Sequence, residues 1–143
     1  MSKPIDKVLY TASATATGGR EGRVVTDDGT LDLGLALPKG LGGTGAAGTN
    51  PEQLFASGYA ACFGSAVAHI ARLQKVQTGP VRVTANVKIG PTGGGAFGLA
   101  AELVVDLPEL PRDQAEALVK AAHEVCPYSN ATRGNIDVVV RLA

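Results

Sequence analysis

The sequence predicts an α+β domain with elements in the order β-β-β-α-β-β-α-β, and three observations carry that prediction. Apolar and polar residues alternate with the period of a strand over Leu31–Leu37 and again over Val81–Ile89. Between them, Pro51 to about Lys75 is a long apolar run with helical spacing and a sharply marked start. Strands and helices do not alternate regularly, which argues against a parallel βα sheet and for antiparallel strands with a long central helix. At 143 residues the chain is long enough to bury a core without metals or structural disulfides, so one domain, 1–143, is expected.

Val8 to Thr17 is rich in Thr and Ala, has a strand-compatible start and ends at Gly18-Gly19; Gly22 to Thr26 is a second strand candidate. Asp27-Asp28-Gly29 is a turn signal before Leu31, Leu33, Leu35 and Leu37, completing an antiparallel meander with one packed face. Pro38 to Thr49 is a Gly-rich loop without periodicity, of the kind that is functional or mobile. Asn50 is a helix N-cap, Pro51 fits the first helical position, and Gln53 completes a capping box. Leu54, Phe55, Tyr59, Cys62, Phe63, Val67 and Ile70 give that helix a wide apolar arc, while Gly58, Ala60, Ala61 and Gly64 keep its other side thin. Such a helix is expected to be covered nearly all round, its second neighbour being a partner subunit. Val81–Ile89 and Phe97–Leu107 form a hairpin pair about the Gly90–Gly95 turn. Asp113 with Glu116 offers a second capping box for a helix from Gln114 to Val125, Pro127 ends it just beyond Cys126, and Ile136–Leu142 is a closing strand.

Composition excludes several classes of function. The 13 basic and 13 acidic side chains cancel and no two Lys or Arg are adjacent, so nucleic-acid binding is not expected. The Leu54–Leu73 window is interrupted by Ser57, Ser65, His69 and Arg72; it reads as a buried helix, with no stable membrane association. No signal-peptide pattern is present, and the expected compartment is the cytoplasm, where structural disulfides are disfavoured. Cys62 and Cys126 are therefore either inert core residues or chemically employed. With His69 and His123 they make no zinc spacing. His69 reads as a packed core histidine, and His123 lies one helical turn before Cys126. The Gly40–Gly45 run lacks the Lys-Ser/Thr of a phosphate loop.

Two segments decide between the readings. Thr49-Asn50-Pro51-Glu52-Gln53-Leu54-Phe55 continues to Gly58-Tyr59-Ala60-Ala61-Cys62-Phe63, and Cys126-Pro127-Tyr128-Ser129-Asn130 follows later. With Thr17-Gly18-Gly19-Arg20 and the Gly-rich segment before Asn50, they make the chain resemble the OsmC/Ohr superfamily over its whole length, specifically the organic hydroperoxide resistance (Ohr) branch. The resemblance implies the OsmC-like fold as an intertwined homodimer with active sites at the subunit boundary. It implies a peroxidase for organic (alkyl and fatty-acid) hydroperoxides that uses no haem, flavin or metal and is recycled by a dithiol, characteristically a dihydrolipoyl-bearing protein. Residue by residue, it assigns Cys62 as peroxidatic, Cys126 as resolving, Arg20 as the stabiliser of thiolate and transition state, and Glu52 as the group orienting Arg20. Arg23 is the fallback should the loop alignment slip.

The chemistry asks for these residue types. A thiol is a poor nucleophile until deprotonated, and burial opposes that. An arginine fork supports the thiolate and the charge developing on the leaving alkoxide. A sulfenic acid on Cys62 needs a second thiol to trap it before irreversible over-oxidation. The expected roles are unequal: Cys62 a buried attacker in the central helix, Cys126 a more adaptable resolver beside a helix end. Glu52 and Cys62 are ten residues apart, about 15 Å along a helix, so the Glu52 used at each Cys62 is expected from the partner chain. Phe55, Tyr59 and Phe63 are the expected substrate pocket, favouring bulky hydroperoxides over hydrogen peroxide. The alternatives are an OsmC-branch peroxidase of the same chemistry and a non-catalytic thiol redox sensor, which would oxidise once without turnover.

Overall fold

The computed structural model describes residues 3–143. Its strands are β1 (Ala14–Thr17), β2 (Arg23–Thr26), β3 (Asp32–Gly34), β4 (Arg82–Pro91), β5 (Phe97–Asp106) and β6 (Val138–Leu142). Helix α1 (Pro51–Gln74) lies between β3 and β4, and α2 (Arg112–Val125) and α3 (Pro127–Thr132) lie between β5 and β6. The expected α+β order holds, with α3 as a short added helix. The chain forms two compact units, one ending at Leu54 and the other covering Phe55–Ala143.

In the first unit, β1, β2 and β3 form an antiparallel meander in that order, with Thr17 opposite Arg23 and Val25 opposite both Thr15 and Asp32. The strands are shorter than their sequence patterns. Lys3–Ser13 has no strand, and Ile5, Val8, Leu9 and Tyr10 are exposed. Beyond Gly34 the backbone of Ala36 bonds instead to Thr49, which bonds back to Gly34, so Leu35–Leu37 leaves the meander to meet the end of the Gly-rich loop. That loop contains a 3₁₀ turn, Lys39–Leu41, closed by the Gly43 N–H on the Pro38 carbonyl. The N-cap of α1 is as expected: Asn50 Oδ1 accepts the Gln53 backbone N–H at 2.8 Å.

In the second unit, β4 and β5 pair antiparallel from Arg82–Asp106 to Pro91–Phe97. β6 joins β5 in parallel, a pairing that needs a crossover, which α2 and α3 supply. Along β4, Val83, Ala85 and Val87 pack on the core while Arg82, Thr84, Asn86 and Lys88 are exposed, as the alternation predicts. The core joins Tyr59, Phe63, Val67 and Ile70 of α1 to Leu103 and Val105 of β5 and Leu118 and Val119 of α2. Helix α1 buries one face only: Ser57, Ala61, Ser65, His69 and Arg72 are exposed, so His69 is a surface residue and not the packed histidine expected. Its apolar run is long enough to cross a membrane, but six of its residues are buried in protein. Helix α2 begins at Arg112 with Pro111 as its cap residue. Asp113 therefore sits in the first turn and not at the cap, and Glu116 pairs with Arg112 at 3.2 Å.

Candidate active site

The first unit builds one half of the expected constellation. Gly19–Glu21 is a 3₁₀ turn between β1 and β2, entered through Gly18 at φ 80°. It closes tightly on Gly22, where a Cβ would lie 1.6 Å from the Thr17 carbonyl oxygen, so only glycine fits. Arg20 projects from this turn and donates to both Glu52 carboxylate oxygens, at 2.6 and 2.7 Å. This two-pronged geometry is the strong form of a charged hydrogen bond. The pairing holds the Glu52 carboxyl below its usual range. Arg23 is committed elsewhere, to Asp32 across the β2–β3 pair.

The second unit holds both thiols. Cys126 caps the end of α2 and the start of α3: its N–H donates to the Ala122 carbonyl and its own carbonyl accepts from Asn130, each at 2.9 Å. Pro127 occupies the first position of α3, where its missing N–H costs nothing. The Cys126 sulfur lies 3.7 Å from that of Cys62, and both cysteines are free. Their exposures are the reverse of the expectation: Cys126 is wholly buried and Cys62 only partly so. Burial pushes the Cys62 thiol up; the Tyr128 backbone N–H acts against that, and neighbouring Cys126 pushes it further up.

Three rings cluster between α1 and α3. Phe55, Tyr59 and Tyr128 have centroid separations of 6.1, 6.0 and 5.6 Å. Tyr128 fits against α1 because residue 58 is glycine: a Cβ there would stand 2.6 Å from the tyrosine oxygen. Tyr59 and Phe63 are 0% exposed, so of the expected pocket only Phe55 presents surface, and Tyr128 presents more. Behind the rings, Tyr59 Oη lies 2.9 Å from Ser129 Oγ and 3.2 Å from Thr132 Oγ1, and Ser129 Oγ lies 2.8 Å from His123 Nδ1. Burial lowers the His123 pKa, as does nearby Arg133, against a smaller opposing effect of Glu124. Among the described residues no three His, Cys, Asp or Glu side chains are grouped to hold a metal ion.

The OsmC-like protein family model matches residues 42–141. The chain belongs to the OsmC-like family. Within it the similarity is to the organic hydroperoxide resistance branch. An organic hydroperoxide resistance protein of Xanthomonas axonopodis pv. citri is 54% identical over the full length of both chains. Organic hydroperoxide resistance protein OhrB of Bacillus subtilis is 47% identical over 94% of this chain and 98% of its own. The crystal structure of an organic hydroperoxide resistance protein OsmC from Legionella pneumophila superposes with TM-score 0.91 at 52% identity, over 96% of this chain and 99% of that one. The family model spans Glu52, Cys62 and Cys126; Arg20 precedes it and falls within the full-length Xanthomonas match. Among the residues around the thiols in this Ohr-branch chain, Ser129 partners Tyr59, a pairing that no sequence motif marks. Seventy positions separate the two, and no sequence period joins them.

Proposed function

We propose that the protein is a cytoplasmic thiol peroxidase that reduces organic hydroperoxides, with Cys62 attacking and Cys126 resolving. The observation that carries this reading is the pair of free thiols 3.7 Å apart, one reachable and one buried. The Cys62 thiolate attacks the terminal peroxide oxygen and the O–O bond breaks. Cys62 is oxidised to a sulfenic acid, and the leaving alkoxide takes up a proton to become the alcohol. The Cys126 sulfur then attacks the sulfenic sulfur, water departs, and the Cys62–Cys126 disulfide forms. A dithiol, such as a dihydrolipoyl group, returns both thiols by exchange and becomes a disulfide itself.

A Cys62 thiol pushed up by burial needs a cation to ionise near neutrality. Arg20, aligned by Glu52, has that role, and it also stabilises the alkoxide as it forms. Ten helical residues from Glu52 to Cys62 rise about 15 Å, so the pair serving each thiol comes from a second copy of the chain. The exposed Ile5, Val8, Leu9 and Tyr10 support such a homodimer, because apolar side chains in a strand-compatible segment look for a partner. Phe55 and Tyr128 form the apolar mouth, and bulky alkyl or fatty-acyl hydroperoxides gain about 0.8 kcal/mol per buried methylene over hydrogen peroxide.

Mass spectrometry after one equivalent of organic hydroperoxide tests the assignment. Wild type should give an intramolecular Cys62–Cys126 disulfide, Cys126→Ser a sulfenic or over-oxidised Cys62, and Cys62→Ser no reaction. Sulfenate appearing first on Cys126 reverses the roles. Mixing Glu52→Gln with Cys62→Ser chains should restore one working site per hybrid dimer; a mixture as inactive as its parents excludes sharing between subunits. Equal second-order rates for cumene hydroperoxide and hydrogen peroxide exclude the apolar mouth.

A further inference from the structure

The thiol-peroxidase reading leaves a buried polar network unused, although it touches every element that carries a thiol. Tyr59 precedes Cys62 by three residues on α1, so both side chains lie on one face of that helix. His123 precedes Cys126 by three residues near the end of α2, and Ser129 follows it by three on α3. The Ser129 hydroxyl meets both Tyr59 Oη and His123 Nδ1, at 2.9 and 2.8 Å. Cys126 is the single residue between α2 and α3, with φ −64° and ψ 124°. The aim of its sulfur therefore follows the angle of the α2–α3 corner. The His123–Ser129 bond spans that corner, the Tyr59–Ser129 bond ties it to α1, and Arg133 braces it from outside through the His123 carbonyl and Asn130 Oδ1.

We propose that Ser129 is a positioning residue for the resolving step, its hydroxyl holding the Cys126 sulfur against Cys62 so that the sulfenic acid is captured before a second peroxide reaches it. This rests on the thiol-peroxidase reading. With His123 neutral and its proton on Nε2, the bonds run in one direction: Tyr59 donates to Ser129 and Ser129 donates to His123. All three hydroxyls (Tyr59, Ser129, Thr132) are buried, and among the described residues no buried side-chain polar atom lacks a partner. A satisfied buried network of this kind fixes one geometry. Two reactions compete for the sulfenic acid. Attack by Cys126 releases water and makes the disulfide, whereas attack on a second hydroperoxide breaks its O–O bond, oxidises Cys62 to sulfinic acid and releases another alcohol. Loosening the corner slows the first and leaves the second alone.

The test is the partition between disulfide and sulfinic acid on intact protein, read by mass against organic hydroperoxide dose. Ser129→Ala should reach half sulfinic acid at a peroxide concentration about tenfold below that for wild type. Sulfenate formation in the first turnover should stay within about twofold, and Ser129→Thr, which keeps the hydroxyl, should return the partition toward wild type. Tyr59→Phe, nearly isosteric, removes only the α1 tie and should shift the partition in the same direction by less; it serves if Ser129→Ala does not fold. A lowered melting temperature with an unchanged partition in either variant makes the network merely structural and overturns the proposal. A wild-type protein that forms no Cys62–Cys126 disulfide instead refutes the underlying peroxidase reading.

Discussion

Replacing Gly58 by alanine sets two effects of similar size against each other and shows whether the Tyr128 ring is a movable wall of the mouth. The new Cβ would lie 2.6 Å from Tyr128 Oη and 3.1 Å from Cε2 and Cζ. These atoms are the far end of a side chain that is 37% exposed, so the ring can turn outward, by less than about 1 Å to restore ordinary contact. Alanine within α1 is worth about 1 kcal/mol over glycine. Weakening the ring contacts with Phe55 and Tyr59 costs about 0.5–1.5 kcal/mol. The net change should fall within about 1 kcal/mol, a melting shift below about 4 °C by circular dichroism. A displaced ring loses stacking on an aromatic hydroperoxide, so kcat/KM for cumene hydroperoxide should fall about two- to tenfold while that for hydrogen peroxide holds. A loss above about 3 kcal/mol would mean that the ring cannot move. Equal losses on both peroxides would mean that the substitution disturbs the thiol and not the mouth.

Lys75, just past α1, holds φ 55° while the Val76 N–H closes on the Ala71 carbonyl, so Lys75→Gly should stabilise by about 0.5–1 kcal/mol in urea unfolding. A destabilised variant contradicts this. Leu103 is wholly buried in β5, and Leu103→Ala should cost about 2–5 kcal/mol in the same assay. A cost below about 1 kcal/mol would show that the core around β5 collapses to fill the space. The His123 pKa is lowered from 6.5 by burial, then by Arg133, against the smaller effect of Glu124. Below about pH 6.5 the unfolded chain therefore binds the proton first, and stability falls as pH drops toward the folded value. His123→Gln should flatten that slope relative to wild type; identical slopes between about pH 5 and 7 would show that other groups set it.

What was legible in the sequence followed from period and punctuation. The alternation of Val81, Val83, Ala85 and Val87 appears as the inward face of β4, and Asn50-Pro51 marks where α1 begins. The Leu31–Leu37 alternation runs past the end of β3 because a period of two describes any extended backbone; beyond Gly34, Leu35 bonds to the Gly22 carbonyl just outside β2 and Ala36 bonds to Thr49. Asp113 misled because a carboxylate is as much at home in a first turn as at a cap. Burial was the harder quantity. Cys62 looks buried within an apolar helix, yet its exposure depends on what else covers that face, and Cys126 looks peripheral because no sequence period marks the short helix α3 that follows it. Pro127 stops α2 and opens α3 in the same position, so one residue both ends a helix and starts the next.

That reversal of exposure bears directly on the order of events. Two equally exposed thiols 3.7 Å apart would both meet peroxide, and oxidation of both would leave no thiol to resolve either sulfenic acid. With Cys126 at 0% exposure and Cys62 only partly buried, the proposed function would have peroxide meet Cys62 first by access alone. The buried partner then has about 1.7 Å to close to reach disulfide length. Such a step is too large for a thiol locked in place and small enough for a corner that pivots on one residue. On the proposed reading, the network through Ser129 would hold Cys126 near enough to intercept the sulfenic acid, and the remaining approach would come from movement at the single residue joining α2 and α3.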